Sequence, residues 1–84
     1  MINLKIVTNY LESIDYISNV KLNNDSITFT CSGMRDWDGT LTIRHQNWGK
    51  YYTTLFDSTT DYCEGKTVRN SKQIIDFLKY QNID

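Results

Sequence analysis

Ile27-Thr28-Phe29-Thr30-Cys31, Thr40-Leu41-Thr42-Ile43-Arg44 and Tyr51-Tyr52-Thr53-Thr54-Leu55-Phe56 are the three runs that decide the fold. In the first two, apolar side chains alternate with polar ones, which puts the apolar set on one face of a strand. The third is rich in aromatic and β-branched residues, the types that fit a pleated, half-buried surface. Turn chemistry separates the runs. Asp38-Gly39 reads as a turn opening the second, and Asn47-Trp48-Gly49-Lys50 as the turn before the third. Residues 32–36 add more chain than a two-residue hairpin needs, which predicts a longer loop there.

Outward from these strands the pattern changes period. Ile6, Val7, Tyr10, Leu11, Ile14 and Ile17 recur at spacings of three and four, which predicts an amphipathic helix over residues 3–18. Asn3 is placed to cap it, and Asn19 to end it in a left-handed conformation. Val20-Lys21-Leu22 reads as a short strand turned by Asn23-Asn24-Asp25. Residues 57–66 are polar and read as a solvated connection, and Gly33, Gly39, Gly49 and Gly65 read as isolated turn glycines along the chain. A second helix is predicted over residues 71–81, capped by Asn70 with Gln73 and buried through Ile74, Ile75, Phe77 and Leu78. The expectation is one α+β domain over residues 1–84: N-terminal helix, three- to four-stranded antiparallel sheet, C-terminal helix. Such a meander buries one face under the helices and leaves the other open.

Composition narrows the function. With 84 residues there is room for one core and no second domain to frame a cleft. The chain has no alanine and no proline and is rich in Asn, Ile, Lys and Tyr, a bias associated with AT-rich genomes. Nine Lys plus Arg against ten Asp plus Glu give a net charge of −1, where nucleic-acid binders usually carry a basic excess. Cys31 and Cys63 are the two cysteines, too few for a disulfide scaffold, and Met1 to Lys5 do not read as a signal peptide. A cytoplasmic setting with free thiols is expected, with no membrane association.

The residues capable of chemistry do not assemble into a catalytic pattern. Asp36-Trp37-Asp38-Gly39-Thr40 resembles the DxDGT signature of haloacid-dehalogenase phosphotransferases. That chemistry needs its first aspartate at the end of a buried parallel strand, whereas the residues before Asp36 do not make one. Asp36, Asp38 and Thr40 also lack the later glycine and glutamate of a calcium loop. His45, Cys31 and Cys63 offer no paired metal-ligand spacing. The expectation is a non-enzymatic chain with no cofactor and no metal.

One stretch stands out for recognition. Arg35, Asp36, Trp37, Arg44, Trp48, Tyr51 and Tyr52 bring together both tryptophans and two of the three arginines. Tryptophan, tyrosine and arginine are favoured anchors of protein interfaces. These seven are the candidate partner-binding residues, with at least one tryptophan expected to pack over the end of the sheet.

The element order, with helix 3–18, strands within 27–56 and helix 71–81, resembles that of small anti-CRISPR proteins of phages and mobile elements. The resemblance implies an inhibitor that occupies the surface of a defence nuclease or blocks its assembly. The near-neutral charge departs from the members that imitate DNA, which directs the expectation to a host or foreign protein as partner. A small nucleic-acid-binding regulator and an immunity or antitoxin protein are the alternative expectations.

Overall fold

The alternating runs do form the centre of a sheet. In the computed structural model, which describes residues 2–33 and 36–84, the elements are α1 (Leu4–Glu12), β1 (Ile17–Leu22), β2 (Ser26–Cys31), β3 (Trp37–His45), β4 (Tyr51–Asp57), β5 (Tyr62–Val68) and α2 (Ser71–Tyr80). The five strands form one antiparallel meander in the order β1-β2-β3-β4-β5. The sheet thus has five strands, where three to four were predicted.

Register sorts the side chains into two faces. Ile27 lies opposite Leu41, which lies opposite Leu55, and all three are buried beneath the helices. Val7 and Leu11 of α1, and Ile74, Phe77 and Leu78 of α2, close the core from above, with Val68 and Ile83 completing it. The opposite face carries Thr28, Thr30, Thr40, Thr42, Thr54 and Thr67, and neither helix packs on it. The Thr42 and Thr54 hydroxyls hydrogen-bond across the strands there. Cys31 points into the core and Cys63 lies exposed on the open face, so the two cysteines sit on opposite sides of the sheet and are not joined by a disulfide.

The helix caps form as expected. The Asn3 side chain accepts from Lys5 N–H at 3.0 Å, and that of Asn70 from Gln73 N–H at 2.9 Å. The Gln73 side chain reaches back to Arg69 N–H at 2.7 Å, one residue before the position a capping box uses. The buried Ser71 hydroxyl accepts from Asn3 N–H at 2.7 Å and donates to Asn3 C=O at 3.0 Å, fastening the two helix starts together. At the other end, Tyr10 donates to Ile83 C=O at 2.6 Å, tying the C-terminal tail to α1. Burial raises the Tyr10 hydroxyl above the ordinary phenol range, with Asp84 and Tyr16 adding to it.

Four local expectations are corrected. The first helix ends at Glu12, not Ser18, and the chain turns into β1 at Ile17. Asn19 is left-handed (φ 55°), but it sits inside β1, where the register with β2 shifts between Ser18 and Lys21, the mark of a bulge. Asp38-Gly39 is not a turn: it lies within β3, opposite Thr30 and Phe29. Gly39 is small because a side chain there would collide with the Phe29 ring, which lies over it. Residues 57–66 are not one solvated connection, since β5 begins at Tyr62. Gly65 lies inside that strand beneath the Tyr52 ring.

Candidate functional site

The strands differ in length, and that difference builds the site. β2 begins at Ser26 opposite Thr42, so β3 runs beyond it by Ile43, Arg44 and His45. On the other side β5 ends at Val68 opposite Tyr51. The end of the β3–β4 hairpin therefore stands clear of β2, while β5 follows β4 to its first residue and leaves only the turn, residues 46–50, projecting past it; the molecule is elongated at 40 × 24 × 22 Å. The hairpin is anchored at its base, where Ile43 N–H donates to Asp25 C=O at 2.8 Å.

The turn itself closes through Lys50 N–H to Asn47 C=O at 2.8 Å and Gln46 N–H to Lys50 C=O at 2.9 Å. Trp48 (φ 52°) and Gly49 (φ 73°) both have positive φ, the sign pattern of the type I′ turn that suits the twist of a hairpin. Glycine takes that conformation freely. Tryptophan does not, and a bulky residue held there costs about 1–3 kcal/mol. Trp48 is 88% exposed, so it recovers little of that by packing. An indole placed in solvent, on a strained turn at the tip of the hairpin, contributes little to this fold.

The base of the hairpin is firmer. His45 and Tyr51 lie opposite each other on the helix-facing side, their rings edge to face with centroids 5.2 Å apart. Arg44 and Tyr52 form the matching pair on the open face. Ile2, Leu4, Asn24, Asp25, Arg44, His45, Tyr51 and Tyr52 border an open groove of about 710 Å³ that runs around this end of the sheet.

Of the seven residues expected from sequence, Arg44, Trp48, Tyr51 and Tyr52 therefore come together at one end. Asp36 and Trp37 are at the other end of β3, about 25 Å along the strand at the usual rise per residue. Trp37 is half-buried on the helix side, edge to face with Phe29 at 5.8 Å, and serves the core. Asp36 is exposed beside it. Arg35 lies outside the described residues. His45 was passed over in the sequence because it is a single histidine with no ligand partners. Counting back from the Asn47–Lys50 turn is the signal that places it opposite Tyr51.

The DxDGT-like run has a structural context too. β3 is antiparallel to both of its neighbours, and Asp38 accepts a hydrogen bond from the Thr30 hydroxyl at 2.9 Å on the open face. Among the described residues, no three His, Cys, Asp or Glu side chains gather where they could hold a metal ion. No helix among them is long and apolar enough to cross a membrane. Compared with protein-family models, with curated proteins and with solved structures, the chain matches none.

Proposed function

We propose that this chain is a non-enzymatic binding module that grips a protein partner with the tip of its β3–β4 hairpin, Trp48 being the anchor. The observation that carries this reading is Trp48 itself: exposed, strained and unused by the fold. Backbone strain that packing does not compensate is found where a residue is needed for something other than stability. A partner pocket that desolvates the indole supplies the missing return, and Arg44 and Tyr52 at the hairpin base form a polar, aromatic rim of the kind that surrounds such anchors.

A protein partner fits this surface better than nucleic acid. Arg44 and Lys50 are the positive charges of the hairpin end, and the open face beside it is mainly threonine. A phosphate reader needs several neutralising contacts. In its fullest form the proposal is an inhibitor whose hairpin enters a functional surface of a defence nuclease, or blocks its assembly, and so keeps the nuclease from its target.

Affinity capture from host lysate, with and without nuclease treatment, tests the class of partner. The expected result is a specific protein retained equally in both arms and held as salt is raised. A partner released by nuclease, or one lost over orders of magnitude in affinity as ionic strength rises, would replace this reading with nucleic-acid binding.

A further inference from the structure

The two edges of the sheet are not equivalent. β1 is interrupted by the bulge at Asn19, a device that blunts an edge against further pairing. β5 pairs with β4 without a break across all seven residues from Tyr62 to Val68, and no strand among the described residues pairs with its other side. That leaves an edge of unbroken register.

Its charges are Glu64 and Lys66, both exposed on the helix-facing side and separated by Gly65. Charge on an edge strand ordinarily discourages pairing. Here its spacing favours one partner. Two copies of β5 running antiparallel about a two-fold axis perpendicular to the sheet must match side chains that share a face. Centred on Gly65, this sets Glu64 opposite Lys66 of the second copy and Lys66 opposite its Glu64. The same register sets Tyr62 opposite Val68. The neighbouring registers that keep the faces matched are centred on Glu64 or on Lys66, and each sets a charge against its own copy. Gly65 also leaves the axis free of bulk. Tyr62 donates to Glu64 at 2.8 Å, which steadies one carboxylate oxygen and leaves the other to accept from an ammonium group.

We propose that the chain forms a symmetric dimer by pairing β5 with β5 of a second copy, in the register centred on Gly65. The result is one continuous sheet across both copies. Because the two-fold axis reverses strand direction, the two Trp48 tips lie at opposite ends of the assembly, and each is free for a partner.

Sedimentation analysis of the full chain tests this. The wild type is expected at twice the 9.9 kDa chain mass. Glu64→Lys alone and Lys66→Glu alone each turn both cross-strand pairs into like charges and should weaken association about tenfold or more. The double exchange Glu64→Lys/Lys66→Glu restores opposite charges and should restore the dimer. Circular dichroism confirms that these exposed substitutions keep the fold. Trp48→Ala should dimerise as the wild type does, so loss of partner binding and loss of self-pairing are read separately. A monomeric wild type at millimolar concentration, a dimer indifferent to both single reversals, or a double exchange that fails to recover association would each overturn the proposal.

Discussion

Phe29→Ala is expected to lower the stability of this domain by about 3–5 kcal/mol, a large share of what a chain this short possesses. Phe29 is 2% exposed, at the centre of the helix-facing side of β2. Its ring covers Gly39 on the adjacent strand and meets the edge of Trp37 at 5.8 Å. Truncation removes the ring and leaves a void that the neighbouring strand cannot fill, because position 39 has no side chain to extend. Trp37 would lose its packing partner in the same step. Urea denaturation followed by far-ultraviolet circular dichroism measures this, and an unchanged midpoint would place the buried face of β2 on its threonine side.

Trp48→Ala is expected to leave stability near the wild-type value while weakening partner binding by about 2–4 kcal/mol, or roughly thirty- to a thousandfold. The magnitude is that of a desolvated aromatic anchor. The separation of the two effects follows from the 88% exposure, since truncating a side chain that touches little of its own fold removes little from it. Trp48→Asn sharpens the contrast. It creates Asn-Gly at the two central turn positions, a strongly preferred pair for positive φ, and should raise stability by about 0.5–1 kcal/mol. A variant that is more stable and yet binds worse would show that the turn carries tryptophan for a reason other than folding. Equal affinity of the wild type and both variants, measured by calorimetry, would move the interface away from the tip.

How far the sequence spoke for itself depended on whether each element had a face to bury. β2, with Ile27, Phe29 and Cys31 in phase, is legible because every second residue enters the core. α2 is legible for the same reason, with a cap at Asn70 besides. β5 was missed because its helix-facing residues Tyr62, Glu64 and Lys66 stay exposed, so no apolar alternation records their direction. The end of α1 was misplaced because Ile14 and Ile17 extend the helical spacing by chance. Both are buried, but from the turn and from β1. Gly39 and Gly65 read as turns because a glycine beneath a cross-strand aromatic ring looks, in sequence, like any other glycine. The candidate site was legible in residue types and not in grouping. Trp37 and Trp48 are eleven positions apart, a distance that fits one loop region equally well, and only the strand between them separates a core tryptophan from an exposed one.

The fluorescence of Trp48 itself measures the central claim most directly. In a Trp37→Phe background, position 48 holds the one tryptophan of the chain. Free protein should emit as a solvent-exposed indole and be readily quenched by iodide. Adding the captured partner should shift emission to the blue and remove most of the quencher's access, as the indole leaves water for a pocket. Emission and quenching that stay unchanged while the complex forms would contradict the account, because the anchor would then still be in solvent.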